Sequence, residues 1–268
     1  MPTFKLTLQY DGTRYAGWQR QTSRGGAPRQ SPRLKTVQEE LEKAMERVVG
    51  HKVCAESSGR TDSGVHAVAQ AVHCSTTSKI PAVPLRNALN RFLPQDISVT
   101  ASESVASGFH ARFCARSKTY HYVILPQTER SVFLKRYVCL TKYDLSVRLM
   151  RRSATCLVGK HDFSSFQASD RSARKSTAEV MKIKVRESLG SDILPFLKGV
   201  RLITIEIQAR GFVRGMVRNI AGTLIEVGRG KLAAGDVKDI LEKRDRRFAG
   251  PCAPPQGLYL TEVCYGKD

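Results

Sequence analysis

Carboxylates are what this sequence is short of. It has 24 Asp and Glu against 44 Lys and Arg, which leaves a net charge of +20 over 268 residues and an isoelectric point near 10.0. Such an excess is self-repelling unless the chain meets a polyanion, and nucleic acid is the expected partner. Long apolar runs are also missing. No stretch approaches the roughly 20 residues that a membrane span needs. No basic helix carries a bulky apolar face, so no membrane partner is expected. The seven cysteines (Cys54, Cys74, Cys114, Cys139, Cys156, Cys252 and Cys264) form no Cys-x-x-Cys pair, so no metal is expected. Their odd number and wide spacing read as reduced thiols. The opening residues run into a strand and not into a signal peptide, so a cytoplasmic setting is expected. A Walker loop, a dinucleotide fingerprint and a setting for a nucleophilic Ser or Cys are all lacking.

What is present reads as strands and helices in alternation. Phe4, Leu6, Leu8 and Tyr10 alternate with polar residues and stop at Asp11-Gly12, the pattern of a half-buried strand. Residues 22–35 follow, rich in Ser, Gly and Pro, with Arg24, Arg29, Arg33 and Lys35 and no acid. They suit either a solvated loop or a basic flap that touches RNA. Thr36 caps a helix with Glu39 placed to complete a capping box. Val37, Leu41, Ala44, Met45 and Val48 share its apolar face, and Gly50 ends it. Strands are expected at 53–58 and 68–74, a helix from Pro84 to Pro94, and an extended piece near 96–103. From about residue 115 the pattern begins again. Tyr120, Tyr122 and Ile124 mark a strand. Asp144 caps a helix closed by Gly159, strands follow at 178–187 and 200–209, helices at 213–227 and 236–243, and a last strand carries Leu258, Leu260 and Cys264. The expectation is an α+β chain of two related halves, 1–114 and 115–268, whose mainly antiparallel sheets join with helices packed on one face.

Few constellations carry chemistry. Gly59-Arg60-Thr61-Asp62-Ser63-Gly64-Val65-His66-Ala67 places a cation and a carboxylate two residues apart between glycines. Spacing alone leaves open a surface turn with an incidental ion pair. His66 could donate a hydrogen bond or be structural. Arg214 and Arg218, four apart, are expected on one helix face, either as a solvated basic surface or as a clamp for a carboxylate or phosphate. Tyr120 and Tyr122 point the same way from a strand. One suits the core, and the other suits stacking on an extruded base.

The nine-residue loop resembles the signature of the tRNA pseudouridine synthase A (TruA) family, and further blocks agree in order along the chain. They are Tyr10-Asp11-Gly12-Thr13, Gly17-Trp18-Gln19-Arg20-Gln21, Val37-Gln38-Glu39, Phe109 to Phe113, Arg116 to Tyr120, Asp162 to Phe166, Phe212-Val213 with Met216-Val217-Arg218-Asn219, and Gly257-Leu258-Tyr259-Leu260. The resemblance implies an isomerase that converts uridine to pseudouridine in the anticodon stem-loop of tRNA, at nucleotides 38, 39 and 40. It implies no cofactor, a homodimer and a cleft between the halves. It makes Asp62 the nucleophile, Arg60 the residue that helps extrude the uridine, and Tyr120 the stacking residue and general base. Arg218 becomes the partner of Asp62, and Leu258 lines the pocket. Arg174 takes a substrate-binding role, although the Pro that often follows the family's Ser-Arg pair is missing here. A non-catalytic tRNA binder is the alternative that charge alone would allow, but such a binder has no use for a carboxylate held near phosphates.

Overall fold

A computed structural model describes residues 1–20, 34–126, 131–168, 176–190 and 198–266. Arg174 and most of the basic 22–35 stretch, including Arg24, Arg29 and Arg33, lie outside the described residues. Ten strands and five helices among the described residues make the chain α+β. By internal contacts it divides into two compact units, Met1–Arg116 with Leu260–Asp268, and Ser117–Tyr259.

In the first unit the apolar alternation becomes β1 (Thr3–Tyr10), with Phe4, Leu6, Leu8 and Tyr10 all buried. Antiparallel neighbours flank it, β3 (His66–Ser75) on one side and β4 (Ile97–Val105) on the other. The first helix, α1 (Val37–Val49), has the capping box of Thr36 and Glu39 and a left-handed Gly50 at its end. The second, α2 (Ala82–Phe92), packs on β4 and against α1. The expected strand at 53–58 shrinks to β2 (Glu56–Ser57). The cause is side-chain competition. Glu42 Oε1 accepts the Ala55 N–H at 3.1 Å and Gln38 Nε2 donates to the Ala55 carbonyl at 3.1 Å, so helix side chains satisfy backbone that a ladder would otherwise use.

In the second unit, β5 (Ser117–Pro126), β9 (Arg201–Ala209), β8 (Thr177–Leu189) and β7 (Gly159–Asp162) form an antiparallel series in that order, and β6 (Cys139–Thr141) adds to β5 in parallel. Tyr120, Tyr122 and Ile124 pair with Ile207, Ile205 and Ile203 across one buried face. The helices are α3 (Val147–Ala154), α4 (Met216–Gly228) and α5 (Asp236–Lys243). The N-cap of α3 is Ser146 and not the expected Asp144. Ser146 Oγ accepts from Leu149 N, while Asp144 is drawn off by the Arg201 guanidinium. The last strand, β10 (Leu258–Cys264), starts in the second unit and ends in the first.

Candidate active site

Asp62 stands on irregular backbone between β2 and β3, and the loop is tied at nearly every residue. Val65 N donates to the Asp62 carbonyl at 3.2 Å. Gly64 takes φ +77° in the position where that turn demands a left-handed residue. Gln70, buried in β3, donates through Nε2 to the Gly59 carbonyl at 2.8 Å and accepts from Ser58 Oγ at 2.7 Å. The buried hydroxyls of Thr61 and Tyr10 lie 2.8 Å apart. Burial pushes the Tyr10 phenol up to about 12, against hydrogen bonds from Thr61 and Gln70 that pull it down.

From the other side the loop is gripped by the segment after β1. Trp18 N donates to the Thr61 carbonyl at 3.1 Å, and Ser63 Oγ donates to the Tyr15 carbonyl at 3.0 Å. Two glycines permit this approach. A Cβ on Gly12 would meet Val65 O at 2.0 Å. One on Gly17, whose φ is +98°, would meet Thr61 O at 2.5 Å. Tyr10, Gly12, Gly17 and Trp18 of the two N-terminal blocks thus cradle the Asp62 loop, while Gln19 and Arg20 bond to Gln38 and Glu42 of the first helix. His66 takes the structural role: it is buried, with Nδ1 3.1 Å from Gly12 N and 3.2 Å from Asp11 Oδ1. Within this cradle Arg60 is exposed and Asp62 half-buried.

The second unit carries the other expected residues on regular elements. Tyr120 is 7% exposed, and its ring meets Phe212 edge-on at 4.9 Å and 82°. Both tyrosines are buried, against the expectation that only one would be, and Tyr122 is the deeper. It is fully buried, donates to the Pro254 carbonyl at 2.8 Å, and has its phenol pushed up by burial. Arg218 lies in the first turn of α4. Its Nε donates to the Ala253 carbonyl at 2.8 Å, and Ala253 N donates back to the Arg218 carbonyl at 3.1 Å. That exchange fixes the direction of the guanidinium. Leu258 is buried at the start of β10. The expected common helix face for Arg214 and Arg218 is not formed. Gly215 caps α4 with φ +71°, and Arg214 precedes the helix, its carbonyl accepting from Ala168 N at 2.8 Å.

The Asp162 to Phe166 block also finds its mechanism in this unit. Phe163 and Phe166 are core residues. Asn219 Nδ2 donates to the Phe166 carbonyl at 2.8 Å, and Ser165 Oγ donates to the Ile240 carbonyl. Burial opposes ionisation of Asp162, but hydrogen bonds from Ser164 and Ser176 and the charge of Arg244 hold its carboxyl below the usual range.

Among the described residues, one group of side chains has the composition of a metal site. Ligand atoms of Glu56, His73 and His110 lie within 4.8 Å of one another. Two backbone N–H groups, of Arg112 and Phe113, point at His110 Nδ1 from 3.1 and 3.3 Å. They place the ring proton on Nε2, which faces Glu56 Oε2 at 3.3 Å. An ion would need that Nε2 lone pair, so these residues suit a hydrogen-bonded cluster and not a metal centre.

Comparison with known proteins shows the family. A family model described as tRNA pseudouridine synthase matches residues 7–114 and 154–266. Curated proteins named tRNA pseudouridine synthase A are similar along the whole chain. The protein of Thermoanaerobacter sp. (strain X514) is 40% identical over 265 residues, covering 99% of this chain and 100% of its own. That of Ruminiclostridium cellulolyticum is 39% identical with the same coverage. A solved archaeal box H/ACA sRNP Nop10–Cbf5 complex matches 92% of this chain and 59% of its own, at a TM-score of 0.28 and 12% identity, a likeness that carries no argument. Full-length similarity at this identity, with the family model covering most of both units, makes the chain a member of the tRNA pseudouridine synthase A family.

Proposed function

We propose that this chain isomerises uridine to pseudouridine in tRNA, with Asp62 as the nucleophile. The observation that carries the reading is the Gly59 to Ala67 loop. It holds one carboxylate on backbone braced from both sides, in a chain of net charge +20 that belongs to a family of tRNA pseudouridine synthases. The reaction breaks the C1′–N1 bond and joins C1′ to C5. The base must leave the helix stack, turn and reattach without escaping. Extrusion costs a few kcal/mol, which contacts to the phosphate backbone offset. Asp62 forms the covalent adduct, with the sugar or with the ring. Tyr120 stacks on the freed uracil and takes the proton from C5, and Arg218 pairs with the nucleophile. Holding the uracil in place replaces a bimolecular search. Arg60 helps extrude the uridine, Leu258 lines its pocket, and Arg174 contacts the substrate.

The same reading assigns the anticodon stem-loop as target, at nucleotides 38, 39 and 40, and a homodimer acting in the cytoplasm. Asp62→Asn tests the centre of it. Pseudouridine formation should fall by about 10⁴-fold or more while tRNA binding persists. Normal turnover by the variant would sink the assignment. Mapping pseudouridines in tRNA with and without the protein tests the target positions.

A further inference from the structure

The Phe109 to Cys114 stretch plays no part in the Asp62 cradle, yet it is held as firmly. Ala111 is fully buried, its carbonyl accepts from Tyr265 OH at 2.7 Å, and its N–H lies 3.2 Å from His73 Nδ1. The next two N–H groups, of Arg112 and Phe113, converge on His110 Nδ1. Cys114 N closes the turn on the His110 carbonyl at 2.9 Å. What this rigid turn displays is an apolar ring. Phe113 is 75% exposed, where Phe is normally buried. His110 backs the ring at 4.2 Å, and the Arg112 guanidinium carbon lies 5.6 Å from its centre. Arg112 is exposed beside it, and Arg116, also exposed, follows three residues on in the chain.

A largely exposed aromatic ring with one arginine against it and a second three residues on, on backbone tied by hydrogen bonds, is suited to an unpaired nucleotide: the ring stacks on the base and the guanidinium groups meet the phosphates. Ordering the turn before binding lowers the entropic cost of the contact. We infer that the Phe109–Cys114 turn is a second RNA-contact element, with Phe113 stacking on an unpaired base of the tRNA, Arg112 and Arg116 holding adjoining phosphates, and His110 as the positioning residue. The inference rests on the tRNA substrate of the proposed function and adds a contact outside the Asp62 loop.

Binding of an unmodified tRNA transcript to the full-length chain tests it. Phe113→Ala should weaken binding by about 5- to 50-fold, with the loss in Kd and KM and not in the saturated rate. Phe113→Trp should restore it. Arg112→Gln with Arg116→Gln should lower the salt slope by about 0.7 for each phosphate lost. His110→Ala should mimic Phe113→Ala, and His110→Asn should rescue in part, because its amide oxygen can accept from the same N–H groups without adding charge. Unchanged binding by Phe113→Ala overturns the inference. Rescue by Phe113→Leu as complete as by Phe113→Trp also overturns it, since packing would then suffice. A change of oligomeric state by Phe113→Ala with binding per protomer intact overturns it in favour of a contact between copies of the chain. The two readings fail separately: the Asp62 assignment fails on turnover with binding intact, this one on binding alone.

Discussion

The Asp62 loop and the Tyr120–Arg218 region solve the same problem in different ways. Asp62 stands on backbone with no ladder or helix of its own. Its position comes from side chains, Gln70 and Ser58 below and Tyr10 with Thr61 beside, and from the close approach that Gly12 and Gly17 allow. Tyr120 and Arg218 stand on a strand and a helix, whose regular backbone sets their positions, and contacts to Phe212 and Ala253 help to fix their directions. Irregular backbone can be aimed freely but must be tied at many points. Regular backbone is cheap to hold but aims its side chains only along its own period.

That contrast can be broken most severely at Gly17. Gly17→Ala forces a left-handed φ on a residue with a Cβ and drives that Cβ against Thr61 O, so a loss of about 2–4 kcal/mol by urea unfolding is expected, with low turnover in the folded fraction. Gly211→Ala in the second unit, where a Cβ meets nothing within 4 Å, should stay within about 0.5 kcal/mol. Equal losses at the two positions would erase the distinction. Next is Arg218→Lys, which keeps the charge but loses the Nε contact to Ala253. Turnover should fall about 10²-fold with the melting temperature nearly unchanged, and a normal rate would show that direction is immaterial there.

Smaller effects sharpen the comparison. Tyr10→Phe removes one of two buried hydroxyls and strands the other on Thr61, for about 1–2 kcal/mol in chemical denaturation. It should also reshape the alkaline limb. The Tyr10 phenol is raised on folding, so the stability it adds is complete below the ordinary tyrosine range and is lost as pH rises towards about 12. The variant should lose that dependence. The smallest effect belongs to Asp162, whose carboxyl is lowered on folding. Its contribution is present above the usual carboxylate range and disappears as acid protonates it. Asp162→Asn should lower stability at neutral pH and flatten its decline on the acid side, and an acid limb as steep as that of the unaltered chain would contradict the assignment.

Legibility followed the range of the determining contacts. The first helix could be read to the residue because Thr36, Glu39 and Gly50 decide it locally. The strand alternation of Phe4 to Tyr10 was equally plain. The Asp144 cap was misread because Arg201, distant in sequence, claims that carboxylate and leaves the role to Ser146. The strand at 53–58 was overdrawn because Gln38 and Glu42 occupy the Ala55 backbone. The Arg214 and Arg218 spacing misled although Gly215 stands between them, since a glycine alone does not announce a positive φ. The Asp62 loop was legible as a signature but its cradle was not, because Tyr10 and Thr61 are 51 residues apart and nothing local joins them.

The first unit also has an unusual calendar. Its early-made turn at Ala111 is held by Tyr265, and Arg116 N donates to the Cys264 carbonyl at 2.9 Å. At roughly 5–20 residues per second, those partners leave the ribosome on the order of ten to thirty seconds after the rest of the unit. The nascent chain must therefore carry an incomplete first unit throughout synthesis of the second, and chaperone demand should concentrate in that interval.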